Sequence, residues 1–68
     1  MAWTYGVIID GDDNKIQYVT GEDSVEAFNK VLQIAKDVND TVFTYRLDDG
    51  YEALVDHNGN TQVLFGGW

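Results

Sequence analysis

The chain has no cysteine, no proline, one histidine and only four Lys and Arg. Without cysteine there are no disulfides, no thiolate zinc site and no thiol redox chemistry. With so few cations against twelve Asp and Glu, direct contact with nucleic acid or an anionic membrane is not expected, because phosphate contacts need Lys and Arg. No apolar run exceeds three residues, Val7-Ile8-Ile9 being one, so no transmembrane segment is expected. No basic segment followed by a long apolar one opens the chain, so no secretory leader is expected, and the expected location is cytoplasmic.

What is present is a length of 68 residues, a formal net charge of −8 and a hydrophobic fraction of 44%. That apolar content is too high and too regularly patterned for a disordered acidic tail. The length suits one domain, residues 1–68. A domain of this size buries only about 60% of its unfolded surface and commonly adds a disulfide, a metal or a partner chain. Since the first is excluded, a partner chain is a reasonable expectation. The acidic balance serves solubility, and it also suits a partner with a basic surface.

Trp3-Thr4-Tyr5-Gly6-Val7-Ile8-Ile9 is rich in aromatic and β-branched residues and reads as a strand. Asp10-Gly11-Asp12-Asp13-Asn14 is a turn cluster, and Lys15 to Thr20 is a second strand closing a hairpin. Asp23 is a suitable helix N-cap, with Glu26 three residues later completing a capping-box-like pair. At about 100° per residue, Val25, Phe28, Val31, Leu32, Ala35 and Val38 share one stripe, and Ile34 lies on its flank. The helix is predicted over residues 24–38, ending at Asn39-Asp40. Three strands follow: Thr41 to Leu47, Tyr51 to Val55 and Thr61 to Phe65. The turn Asp48-Asp49-Gly50 joins the first two, and Asn58-Gly59, a strong hairpin signal, joins the last two. Gly66-Gly67-Trp68 is a tail, at its widest residues 64–68. The fold class is α+β: a single helix packed on a four- to five-stranded, mostly antiparallel sheet in the order ββαβββ. The core is expected to centre on Phe28, Val31, Leu32 and Ala35 against Tyr5, Val7, Phe43 and Val63.

Thr4 to Gly11, Glu26-Ala27-Phe28 through Ala35-Lys36-Asp37, and Phe43 through Tyr51 together resemble the immunoglobulin-binding β-grasp domains of the protein G and protein L type. The resemblance covers residues 1–55 and is one of pattern and a few local words. It implies a hairpin, a crossing helix, a second hairpin and antibody binding, and it transfers no set of contact residues. The chain departs from that family at its end. The last strand of a β-grasp sheet is central, whereas Asn58-Gly59 asks for a further hairpin partner. Both demands cannot be met at once: either the fifth strand replaces the fourth at the centre, giving the expected all-antiparallel order 2-1-5-4-3, or the C-terminal strand is an arm that pairs elsewhere.

Candidates for chemistry are sparse. Asp10, Asp12 and Asn14, and again Asp56, Asn58 and Asn60, have the spacing that opens a calcium loop. Such a loop also needs Gly at its sixth position and Glu at its twelfth, where the chain has Lys15 and Gly21, then Thr61 and Gly67. Ser24 and His57 have no nucleophile–base spacing, and Asp12-Asp13 and Asp48-Asp49 are turn pairs rather than paired catalytic carboxylates. No phosphate loop is present. No catalytic, metal or cofactor set is therefore expected.

One helix covers one face of a sheet, and the other face retains Ile8, Leu54 and Leu64 among polar residues. Ile8, Leu54, Leu64 and Trp68, with Asp48, Asp49, Glu52 and Asp56, are the candidate protein-binding residues. The expected function is that of a small acidic, non-catalytic protein-binding module. It would be an inhibitor or adaptor of the kind made by bacteria and their viruses, acting on a larger protein with a basic surface. A homodimeric structural protein, closed through its sheet face or last strand, is the alternative. A DNA-mimicking inhibitor and an immunoglobulin-binding domain are lesser ones.

Overall fold

Residues 2–9 and 16–66 are described by a computed structural model of the chain. The elements are β1 (Trp3–Ile9), β2 (Gln17–Gly21), α1 (Ser24–Val38), β3 (Val42–Arg46), β4 (Glu52–Val55) and β5 (Thr61–Phe65). One helix packs on a five-stranded, wholly antiparallel sheet, which is the expected α+β class and element order. The turn over residues 10–15, with the first calcium-like spacing, and Trp68 lie outside the described residues.

Local chemistry fixes the helix ends. Asp23 is extended (φ −134°, ψ 173°) and its carboxylate accepts the Glu26 N–H at 2.8 Å. The Glu26 carboxylate reaches back to the Glu22 N–H at 3.0 Å, so two otherwise unpaired donors are satisfied reciprocally. At the other end Asn39 takes the left-handed conformation (φ 55°). Its N–H donates to the Lys36 carbonyl and that of Asp40 to the Ala35 carbonyl, a six-residue closure that stops the helix.

The sheet order is β2-β1-β3-β4-β5, not the expected 2-1-5-4-3. The β1–β2 hairpin brings the chain to one end of the sheet and α1 returns it to the other. After the short connection 39–41, β3 runs down beside β1. Two tight turns then lay β4 and β5 outward in sequence, so β5 is an edge strand. Pairing neighbours in sequence avoids any crossover after the helix, which is the common arrangement.

The buried core is Tyr5 and Val7 of β1, Ala27, Val31 and Ala35 of α1, Val42 of β3 and Ala53 and Val55 of β4. Trp3, Ile9, Val19, Phe28, Leu32, Ile34 and Tyr51 pack around it. Two expectations are corrected. The buried helix line is Ala27-Val31-Ala35, rotated from the predicted stripe, so that Ile34 packs inward and Val25 is 68% exposed. Small residues win this line because the helix lies close on the sheet: a side chain at Gly21 would strike the backbone of Ala27. The second correction concerns β3 and β5. Val7 stands opposite Thr44 and Ile9 opposite Val42, which puts Val42 and Thr44 under the helix and Phe43 on the other face. Thr44 is buried without penalty because its hydroxyl donates to the Gly6 carbonyl at 3.0 Å. Val63 does face the helix side, opposite Ala53, but it is 48% exposed. The contacts of α1 fall chiefly on β1 and β2 and only thinly on β4, leaving β5 beyond its cover.

Candidate functional site

Strand register assembles the uncovered face into two rows that cross all or nearly all of the sheet. The first is Tyr18, Gly6, Tyr45, Glu52 and Phe65, from β2 to β5. The second is Ile8, Phe43, Leu54 and Gln62, from β1 to β5. Glu52 is the one charged residue in the two rows. A solvated antiparallel face ordinarily alternates with polar residues, and this one does not.

The first row is organised around a missing side chain. Tyr45 and Tyr18 flank Gly6, and the Tyr45 ring lies over it, where any Cβ would collide. Glycine inside a strand commonly marks such a close approach. The Tyr45 and Tyr18 hydroxyls meet at 3.4 Å. That contact, with partial loss of solvent, pushes the Tyr45 phenol above its ordinary pKa. Phe43 sits two residues along β3 with its ring centroid 6.2 Å from that of Tyr45, tilted by 36°. Tyr18 is 58% exposed and Phe65 65%, while Phe43, Tyr45, Ile8 and Leu54 are half-buried by one another.

A bulge places Phe65 there. Glu52 pairs with Phe65 and Ala53 with Val63, so Leu64 is an extra residue on β5. The insertion reverses the alternation of the strand, and Phe65 stands beside Glu52 rather than on the face of Val63. Simple alternation along β5 would put Val63 and Phe65 on one face, and the bulge separates them.

The other candidate residues have different surroundings. Ile8, Leu54 and Glu52 are together on the open face, Leu64 is exposed in the bulge, and Trp68 is outside the described residues. Asp48 accepts the Thr4 N–H at 2.9 Å, tying the β3–β4 turn to β1. Asp49 chelates Arg46, with Nε to Oδ1 at 2.8 Å and Nη2 to Oδ2 at 2.6 Å, and this holds its carboxyl below the usual range. Asp56 accepts the N–H groups of Asn58 and Asn60 at 2.9 Å each, and the Asn60 side-chain amide at 3.2 Å. The Asn60 backbone N–H is the main reason that its pKa is lowered. These three carboxylates shape turns while contributing negative charge at the two ends of the sheet.

On the helix side Arg46 is enclosed. Its guanidinium lies 4.9, 5.8 and 4.8 Å from the ring centroids of Trp3, Tyr5 and Tyr51. Nη1 donates to the Tyr5 hydroxyl at 3.1 Å. Asp49 chiefly, and Tyr5 after it, hold the group charged even more firmly than an ordinary arginine. Beside it an open groove of about 400 Å³ runs between α1 and β4–β5, lined by Val25, Phe28, Asn29, Tyr51 and Thr61 among others. The groove exists because the helix does not reach β5. Among the described residues no three His, Cys, Asp or Glu side chains cluster so as to hold a metal. His57 is exposed in the β4–β5 turn and Ser24 opens α1. Among the described residues no helix is long and apolar enough to cross a membrane.

Tyr18, Phe43, Tyr45 and Phe65 are site residues that the sequence pattern did not single out. Gly6, mid-strand between aromatic and β-branched residues, was the available signal. None of the family models, curated proteins or solved structures compared with the chain matches it.

Proposed function

We propose that the chain is a small non-catalytic protein-binding module that docks on a larger protein, as an inhibitor or adaptor, through the open face of its sheet. The observation that carries this reading is the pair of cross-strand rows, Tyr18-Gly6-Tyr45-Glu52-Phe65 and Ile8-Phe43-Leu54-Gln62, with a single charge between them. Contiguous apolar surface with aromatic anchors is the usual character of an interface centre. The described cations stand elsewhere: Lys30 and Lys36 on α1, and Arg46 enclosed on the helix side. Acidic turns border the face at both ends. The complementary partner therefore has an apolar or aromatic patch rimmed by Lys and Arg. Long-range attraction to the net charge of −8 would speed encounter, and the rows would govern residence.

Affinity capture from the source cell, repeated with variants, tests this. Leu54→Asp should abolish capture of the partner while the protein stays folded, because a charge is placed at the centre of the second row. Asp48→Asn with Asp56→Asn should slow association and lessen its salt dependence while leaving dissociation nearly unchanged. Full capture by folded Leu54→Asp would overturn the proposal.

A further inference from the structure

We infer that β5 pairs with β5 of a second copy, edge to edge and antiparallel, joining two sheets into one of ten strands. The inference stands apart from docking on the open face, since it uses backbone groups at the sheet edge.

Hydrogen-bond alternation identifies the groups. Across the β4–β5 turn the Asp56 N–H donates to the Asn60 carbonyl at 3.0 Å. In an antiparallel ladder, inward- and outward-directed residues alternate. With Leu54 opposite Gln62 and Val55 opposite Thr61, Asn60 and Gln62 direct their backbone groups to β4. Thr61 and Val63 therefore direct theirs outward, away from the sheet. An edge of this kind is a template for strand addition unless it is blunted by Lys, Pro or cover. Thr61-Gln62-Val63 has none of these. The opposite edge differs, for Lys30 from α1 bonds the Thr20 carbonyl of β2.

The uncharged strand and the symmetry of its outward groups together point to a second copy. From His57 to Trp68 no residue carries a formal charge with His neutral, the longest such stretch in a chain of net charge −8. Nothing on this strand attracts a basic peptide. A second copy is repelled by the rest of the molecule and meets no like charge along this strand. A two-fold axis passing between Gln62 and Gln62 of the second copy makes Thr61 and Val63 partners of Val63 and Thr61 across it. All four outward N–H groups then find outward carbonyls, and the two Gln62 amides lie side by side on the open face. The bulge at Leu64 turns the strand away beyond Val63 and so fixes this register. Val63, Leu64 and Phe65, each about half or more exposed, flank the seam.

The test is the oligomeric state of the full chain with site-resolved amide exchange. Sedimentation and light scattering should give a mass of twice 7.6 kDa as concentration rises, with association favoured by added salt as the like net charges are screened. Amide exchange at Thr61 and Val63 should slow with concentration, while that at Gln62 is slow throughout. Val63→Pro removes an outward donor that β4 does not use, and should weaken association by at least about tenfold. Gln62→Lys places like charges across the axis and should weaken it several-fold in a protein that keeps its circular dichroism. Leu54→Asp should leave association unchanged, which separates this contact from the docking face. A monomer at all concentrations to about millimolar would overturn the inference, as would a dimer indifferent to Gln62→Lys or one abolished by Leu54→Asp.

Discussion

Gly6 stands opposite Tyr45 across β1 and β3, and the Tyr45 ring occupies the space a Gly6 side chain would need. A second glycine, Gly21, is as crowded, but its neighbour is the backbone of Ala27. The two positions should therefore respond differently to the same methyl group. At Gly6 the obstructing atoms are the far end of a side chain, which swings aside. Gly6→Ala should cost about 1 kcal/mol or less and separate the Tyr45 and Tyr18 hydroxyls. At Gly21 the helix itself must lift, and Gly21→Ala should cost about 1–3 kcal/mol, as overpacking does. Urea unfolding of both variants, with the tyrosine ring chemical shifts, checks the pair. Equal costs would mean that the helix does not bear on Gly21.

Asp23 and Asn39 show why the helix was readable from sequence. Both ends depend on groups within a few residues: a carboxylate before a free N–H, and a residue that tolerates positive φ. Asp23→Ala should destabilise by about 1 kcal/mol, and Asp23→Ser should recover most of it. Thermal unfolding gives the comparison; a silent Asp23→Ala would show that the cap is not holding the first turn.

β3 was not readable in the same way. In Val42-Phe43-Thr44-Tyr45-Arg46 both alternating sets carry apolar residues, and a one-residue change of register exchanges them. The pairing Val7–Thr44 decides the matter, and it joins residues 37 apart in the chain (44 − 7), beyond the reach of local pattern. The same distance hides the strand order, and the bulge at Leu64 hides the face of Phe65. Ile8 and Leu54 could be picked out because each is an apolar residue at a polar step of its own strand. Phe43 instead has the pattern of a core residue. The assignment is testable with one substitution on each face. Val42→Asp should cost far more stability than Phe43→Asp, since only the first buries a charge beneath the helix. The reverse ranking, by chemical denaturation, would restore Phe43 to the interior.

Acid should loosen the turns first. Asp49 and Asp56 have carboxyls held below their ordinary value of 3.8, chiefly by Arg46 and by the Asn60 N–H respectively. A depressed folded-state pKa stabilises the fold above the ordinary value, and that contribution disappears as pH falls through the depressed one. Stability should therefore decline below about pH 4, and Asp56→Asn should flatten the decline. Carboxyl carbon titrations by NMR, with unfolding midpoints at each pH, give both quantities.

Alkali acts on two tyrosines, Tyr45 on the open face and Tyr51 on the helix side. Tyr45 is raised above its ordinary value of 10.0 first by its contact with Tyr18, and Tyr51 first by burial. A raised folded-state pKa leaves stability intact below the ordinary value and erodes it as pH climbs toward the raised one. Phenolate absorbance should show a late-titrating population, and Tyr18→Phe should bring the Tyr45 part of it back toward 10.0. An unchanged titration would mean that the hydroxyls do not interact.

Among the described strands, every sheet neighbour is also the next strand along the chain, except β1 and β3. The hairpin β1–β2 and the meander β3–β4–β5 each close short loops, which form quickly, while the β1–β3 pairing must bridge the helix. The molecule is thus two locally assembled pieces zipped along one non-local seam, with α1 lying mainly on the first piece. Folding should wait on that seam, and pulling the two pieces apart should open the protein there before either piece frays.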